Sequence, residues 1–384
     1  MGIFSAAEMR RRVDLLSNRL EERGVNAALL HSADNVYYAT GVPLLSAWGR
    51  PMLAVLTTGD KPTVIGSLIE KHSMERYGEV AEVRAYGDEE NVWTASIEIA
   101  CGLLKGAKSS GPVGIERRIL PVGVYESLES SLGRELVDVS DILADARLLK
   151  SDEEIRLLRT GGEIAKVGAS AFVEALRPGA TELAVAAHAV VEMDRALAAL
   201  YPEGATSSYA YCHVGDHTLS PHLHPTGRRV QPGDLIALNV FPVIWGYCME
   251  LERTFVMGPP SDDQRRALTA VGESFDLAKR LLRPGTVISD IHADASVVLR
   301  RHGFERNIRH GTGHAHGIMI GAAGREEGGE IRSYNHGLLQ ERMVNSIEPG
   351  VYLPELGGFR HSDVMLITAD GAECLTEFPT AIAL

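Results

Sequence analysis

Four cysteines in 384 residues are too few, and too widely spaced, for a disulfide scaffold. Cys101, Cys212, Cys248 and Cys374 form no C-x-x-C pair and read as the reduced thiols of a cytosolic protein. No long apolar run is present. The longest, Leu235 to Met249, is broken by Asn239 and Pro242 and is too short to span a bilayer. Met1 to Arg12 runs straight into a charged amphipathic stretch, so no signal peptide is expected and the cytoplasm is the expected compartment. Positive charge is also short. Lys and Arg total 38 against 51 Asp and Glu, a net charge of -13, and such a surface repels phosphate backbones. Neither nucleic acid nor membrane is an expected partner.

What remains is ordinary for a globular chain: 45% apolar and 23% charged residues. The length suits roughly two or three domains. Residues 6–24 are charged and amphipathic. Ala27 to His31 reads as a short buried strand followed by a turn signal, Asp34-Asn35. Met52 to Leu56 and Pro62 to Ile65 are further strands, and two more strand–helix passes run through Gly114-Ile115 and Leu136 to Val139. This predicts an α/β domain over 1–150. Ser151-Asp-Glu-Glu154 matches a capping box that opens a helix running to about Leu176 and stopping at Pro178-Gly179. A second helix follows over 181–200, then strands over 205–257. Ser261 to Gln264 is another capping box, with apolar residues at 3-4 spacing from Leu268 to Leu282 behind it. A helix near 288–302 and a glycine-rich strand region complete a second domain over 151–384. Leu176-Arg-Pro-Gly recurs as Leu282-Arg-Pro-Gly, each after a long helix and before a shorter one, which points to an internal duplication with a cleft between the halves.

Chemistry concentrates in that second domain. Seven of the 14 histidines lie in two windows, His213, His217, His222 and His224 in one and His310, His314 and His316 in the other. Glu250, Glu252, Glu348, His361, Ser362 and Asp363 sit on neighbouring strand patterns. Histidines and carboxylates converging from several strands suit acid–base or metal work.

Pro221-His222, Gly233 to Asn239, Glu252-Arg-Thr-Phe255, Gly311-Thr-Gly-His314-Ala315, Ser346-Ile-Glu-Pro-Gly350 and Asp370 to Thr376 resemble the pita-bread fold of Xaa-Pro aminopeptidases, prolidases and creatinases. The resemblance implies an α/β N-terminal domain plus an α+β pita-bread catalytic domain with a pseudo-twofold duplication. The metallopeptidase members hold two metals with two Asp, one His and two Glu. Those positions fall here on Asn239, Glu250, His314, Glu348 and Ser362. With neutral Asn239 and Ser362 in the bridging places, two hard cations lose the carboxylates they need. One ion on Glu250, His314 and Glu348 stays open as an alternative; the leading expectation is no metal and no other cofactor.

The metal-free creatinase branch matches further, through Leu238 to Tyr247, Trp48-Gly-Arg50-Pro51 and Gly324-Arg325-Glu-Glu327. It implies hydrolysis of a C–N bond in a small zwitterionic guanidino or amidino carboxylate. His222 would shuttle the proton, and Glu252 and Glu348 would pair with the substrate N–H groups. Arg50 and Arg325 would grip the carboxylate. Trp48 would edge the pocket, which His314, Glu250 and His361 would also line. The branch further implies a homodimer in which one subunit's N-terminal domain completes the other's site. Ser362, Glu250 and Cys248 depart from it, all at the amidine end. The alternatives are a metal-dependent Xaa-Pro aminopeptidase or dipeptidase, an ectoine-hydrolase-like opening of a cyclic amidine, and a silent binding protein.

Overall fold

The computed structural model describes residues 2–43, 50–89, 91–107, 110–204, 208–321 and 327–381. The chain divides into two compact units, Met1–Arg147 with Ile318–Arg325, and Leu148–Gly317 with Glu326–Leu384. In the first of these units the Ile320 and Gly321 N–H groups both donate to Asp34 Oδ1, at 2.9 and 3.0 Å.

In the first unit the order is α1 (Ala6–Glu22), β1 (Ala27–Leu30), α2 (Ala33–Thr40), β2 (Leu53–Thr57), β3 (Thr63–Ser67), α3 (Lys71–Tyr77), β4 (Glu82–Tyr86), α4 (Val92–Gly106), β5 (Val113–Ile115), α5 (Val122–Leu132), β6 (Leu136–Asp138) and α6 (Ser140–Leu148). The strands form one mixed sheet ordered β4-β3-β2-β1-β5-β6. Central β1 is buried along its whole length, as an unbroken Ala-Ala-Leu-Leu run requires. Ile97, Ala100 and Leu104 of α4 and Val124 and Leu128 of α5 pack on the sheet through Leu29, Val55 and Ile115. Asp34-Asn35 is not a turn but the first turn of α2. Ser32 caps that helix by accepting from the Asn35 N–H, and Asp34 suits a helix start.

The second unit runs α7 (Asp152–Ala175), α8 (Glu182–Leu200), β7 (Tyr209–Val214), β8 (Leu235–Phe241), β9 (Val243–Ile244), β10 (Tyr247–Cys248), β11 (Leu251–Val256), α9 (Asp262–Leu281), α10 (Ile288–Arg301), β12 (Val344–Ile347), β13 (Gly350–Leu353), β14 (Gly357–Arg360), β15 (Asp363–Thr368) and β16 (Gly371–Cys374). Both predicted capping boxes form, at Ser151/Glu154 and Ser261/Gln264. The duplication is visible in matched backbone hydrogen bonds. After the first Arg-Pro-Gly, Gly179 N–H donates to Val230 O and Val230 N–H to Ala180 O. After the second, Gly285 N–H donates to Leu339 O and Leu339 N–H to Thr286 O. The turns entering β8 and β12 also correspond. Gly233 N–H bonds Met257 O as Arg342 N–H bonds Ile367 O, and both residues are left-handed, with φ 88° and 75°. Glycine enters that region freely, whereas an arginine is strained there. Arg342 is held by donating from Nε to Lys150 O at 2.6 Å, by accepting from the Lys150 N–H, and by pairing with Asp152.

The two halves place sheets β11-β8-β7 and β12-β15-β16 in the unit. Between them, Glu252 and Ser362 exchange both backbone hydrogen bonds, at 3.1 and 2.9 Å. The amphipathic α9 seals the core from outside. Ala267 and Val271 meet Leu235, Val256 and Phe359, while Phe275, Ala278 and Leu282 meet Ile347, Met365 and Ile367. Each such fully buried large side chain contributes about 1.5–3 kcal/mol.

Close approach of α7 to the chain end gives a stability test. A Cβ at Gly162 would lie 2.1 Å from Leu375 O, whereas one at Gly272 in α9 meets nothing within 4 Å. Gly162→Ala should destabilise by about 1–3 kcal/mol through overpacking. Gly272→Ala should stabilise by about 0.5–1 kcal/mol through helix propensity. Denaturant melts of the two variants check both signs.

Candidate active site

The seam between the two halves gathers three acidic side chains. Carboxylate oxygens of Glu250, Glu252 and Glu348 lie within 4.8 Å of one another, with the residues 5%, 4% and 8% exposed. Glu250 enters just before β11 and Glu252 is its second residue, opposite Asn239 of β8. Glu348 follows β12, its N–H donating to Thr312 O at 2.7 Å. Residues 312–316 run beside β12, through Ser346 N–H to His314 O and His316 N–H to Val344 O, both 2.8 Å. The two-residue period of extended chain therefore turns His314 and His316 to one face. Their rings stack with centroids 4.7 Å apart. Nε2 of His314 lies 3.4 Å, and Nε2 of His316 3.3 Å, from Glu250 Oε2. Glu348 Oε1 is 3.8 Å from His314 Nε2. Burial opposes ionisation of Glu250, but positive charge at the two imidazoles holds its carboxyl well below the ordinary range.

Glu252 has a partner that the sequence reading missed. Arg360 NH2 donates to Glu252 Oε1 at 2.6 Å and to Asn239 Oδ1 at 3.2 Å, and NH1 donates to the Tyr352 hydroxyl at 3.3 Å. Arg360 Nε forms an ion pair with Glu252 Oε2 but does not meet it along an N–H direction, so that oxygen keeps acceptor capacity. Burial pushes the Glu252 carboxyl up to about 8 against the pull of Arg360, with Glu250 and Glu348 adding to the rise. The network continues outward. His310 Nε2 contacts the Tyr352 hydroxyl at 2.9 Å, and burial lowers the His310 pKa. Arg253, the sequence neighbour of Glu252, turns away to Asp363 Oδ1 at 2.8 Å.

The remaining candidates are dispersed. His222 is exposed on a turn, next to Pro221, which lines a narrow cavity with His213, Asn239, Tyr352 and Arg360. The loop bearing it is fastened to Glu182, a wholly buried carboxylate. Glu182 accepts from the Val214 and Thr226 N–H groups and the Thr226 hydroxyl, and contacts His217 Nδ1 at 2.8 Å. His361 does not line the carboxylate cluster. It packs edge-on against Phe275 of α9, with Nδ1 accepting from the Thr254 N–H at 3.4 Å. Arg360 and Ser362, one residue to either side, take the opposite face. Arg50, in the first unit, pairs with Asp88 at 2.5 Å. Trp48 and Arg325 lie outside the described residues. A larger cleft of about 660 Å³ sits between α4 and α5 of the first unit, lined by Ile97, Cys101, Val124 and Ser127. It holds none of the clustered histidines and carboxylates, which mark the site by their convergence rather than by cavity size.

The pattern of metallopeptidase family M24 matches residues 156–369, and that of the creatinase/prolidase N-terminal domain matches 12–149. The chain belongs to metallopeptidase family M24. Among its M24 relatives, creatinase of Bacillus sp. (strain B-0618) is 32% identical over 382 residues, covering 98% of this chain and 92% of that one. Putative dipeptidase YkvY of Bacillus subtilis (strain 168) is 29% identical, covering 96% and 98%. The prolidase structure from Pyrococcus horikoshii OT3 has a TM-score of 0.82 at 25% identity, covering 96% and 99%. Among the described residues, no helix is long and apolar enough to cross a membrane.

The two-metal centre that the family implies does not fit these residues. Asn239 Oδ1 accepts from Arg360, and its amide donates to Tyr211 O at 3.1 Å and Ala237 O at 3.3 Å. Ser362 spends its hydroxyl on Glu250 Oε1 at 2.6 Å. Neither residue offers a carboxylate to a cation, so no step is routed through a metal pair.

The buried His361 yields a pH test. Burial, with Arg253 adding, pushes its pKa down to about 3. An unfolded imidazole takes its proton near 6.5. The unfolded state therefore binds more protons between about 6.5 and 3, and stability falls as pH drops through that window. Relative to His361→Leu, the wild type should lose up to about 1.4 kcal/mol per pH unit there. Urea melts at several pH values check this; parallel curves for the two proteins would refute it.

Proposed function

We propose that this M24 hydrolase cleaves a C–N bond of a small zwitterionic guanidino or amidino carboxylate without a bridged metal pair, in the manner of the creatinase branch. The observation that carries the reading is the pair Asn239 and Ser362. Neither residue carries a carboxylate, and their side-chain oxygens are committed to Arg360 and Glu250. What is left is a pocket of carboxylates, which suits a planar cation better than a neutral peptide.

In this reading Glu348 and the spare capacity of Glu252 accept N–H groups of the substrate guanidinium or amidinium. Arg360 keeps Glu252 in orientation, so it is a positioning residue. His222 removes a proton from water as the C–O bond forms and returns one to the departing nitrogen as the C–N bond breaks. The loop holding His222 is anchored through Glu182, which suits a base that must reach over a buried cluster. His314 and Glu250 line the amidine end, and Arg50 and Arg325 receive the substrate carboxylate. Because the Arg50–Asp88 pair is solvent-exposed, it is screened and readily exchanged for another carboxylate. The same reading makes the protein a cytoplasmic homodimer in which Arg50 reaches the partner's site.

The test is product analysis. Release of urea or ammonia from a panel of guanidino and amidino acids is expected, and His222→Ala should lower kcat by about 10²–10⁴-fold with the circular dichroism spectrum unchanged. Hydrolysis of Xaa-Pro dipeptides with no turnover of the guanidino panel would replace this reading with a dipeptidase.

A further inference from the structure

We propose that the cleft between α4 and α5 of the first unit binds a short, extended peptide with free ends and an apolar middle. Its described lining belongs wholly to that unit, and the inference does not rest on the hydrolase reading. The volume of about 660 Å³ falls within the range of small-molecule sites, roughly 300–1,000 Å³.

The topology sets the groove. α4 returns the chain from β4 to β5 and α5 from β5 to β6, and these strands are mutually parallel. The two helices therefore run parallel on one face of the sheet. Thr94, Glu98, Cys101 and Lys105 follow at 3-4 spacing along α4, and Val124, Ser127 and Ser131 along α5. Ile97, Cys101 and Val124 are buried and form an apolar floor. The space above it stays open because Gly102 and Gly123 carry no side chains; a Cβ at either would meet nothing within 4 Å.

Charge assigns the occupant. Glu98 and Lys105 are seven residues apart, which brings them to the same edge of α4, about 10 Å apart along its axis. Both are exposed, and among the described residues neither is in an ion pair. They bracket the Cys101 thiol. Burial pushes that thiol up, a hydrogen bond with Ser131 and the charge of Lys105 pull it down, and the charge of Glu98 raises it. A ligand lying along the floor therefore meets a carboxylate at one end and an ammonium at the other. An extended chain advances about 3.3–3.6 Å per residue, so a tripeptide spans the gap, its amino end at Glu98 and its carboxyl end at Lys105. Ser127 stands midway on the facing helix. Its hydroxyl donates to Gly123 O at 2.8 Å, which leaves the oxygen lone pairs to accept a peptide N–H. The middle side chain rests on Ile97 and Val124, so an apolar one is favoured.

The experiment titrates the full chain with Ala-Val-Ala by calorimetry, beside the N-acetylated and C-amidated forms of the same peptide. Binding in the millimolar range is expected, weakened about 2–5-fold by blocking either end, the factor that an exposed ion pair supplies. Glu98→Lys and Lys105→Glu should each weaken it further. The double variant, whose charges are exchanged, should recover binding with the peptide reversed. Gly102→Leu should fill the cleft and abolish binding with the circular dichroism spectrum unchanged, because leucine is a good helix former. No binding at millimolar peptide, equal binding of the blocked forms, or undiminished binding by Gly102→Leu would overturn the proposal. A lower sedimentation coefficient of Gly102→Leu would also overturn it, assigning the cleft to a second copy of this chain. Turnover of guanidino acids is scored separately, so either reading can fail without the other.

Discussion

Crowding of acidic side chains where water is scarce is the constraint on which the second unit depends. Glu250, Glu252 and Glu348 are within reach of one another at a few per cent exposure. Buried carboxylates repel, and burial alone favours their neutral form. The fold answers with one guanidinium, Arg360, clamped between Glu252, Asn239 and Tyr352, and with two imidazoles facing Glu250. Breaking such a buried pair typically costs about 3–5 kcal/mol, because the surviving charge has no substitute partner. The site is thus expensive to the scaffold, and the scaffold supplies the rigidity that such a cluster needs.

That rigidity comes from duplication. Each half contributes a helix pair, an Arg-Pro-Gly turn and a strand entering the seam, and the hydrogen bonds of one half are repeated in the other. The halves have diverged in what they present. β8 brings a neutral amide at Asn239 while the chain after β12 brings Glu348. The approach to β11 brings Glu250 while that to β15 brings Ser362. Asn239 and Ser362, one from each half, are neutral, and their side chains are held in hydrogen bonds to Arg360 and Glu250.

Much of this was legible in the sequence where local rules govern. The capping boxes at Ser151 and Ser261, the helix stops at Pro178 and Pro284, and the repeated Arg-Pro-Gly all act within a few residues. The convergence of Glu250, Glu252, His314 and Glu348 was readable from strand patterns together with a family resemblance. Arg360 was not, because its role is set by the packing of β14 beside β11 and not by its own neighbours in the Gly-Gly-Phe-Arg run. His316 sat in a histidine-rich window, but only the pairing of residues 312–316 with β12 reveals that it shares a face with His314. Asp34-Asn35 misled because cap residues and turn residues are the same types, and the Ser32 hydroxyl decided between them.

The left-handed turn at Arg342 ties the start of one repeat to the interior of the other. Its backbone and guanidinium both grip Lys150, just ahead of α7, while its N–H is spent on Ile367 of β15. A strained residue that is simultaneously a clasp makes the opening of either half a loss for both. Heat or denaturant should therefore meet the duplicated unit as one cooperative block, not as two copies that melt in turn.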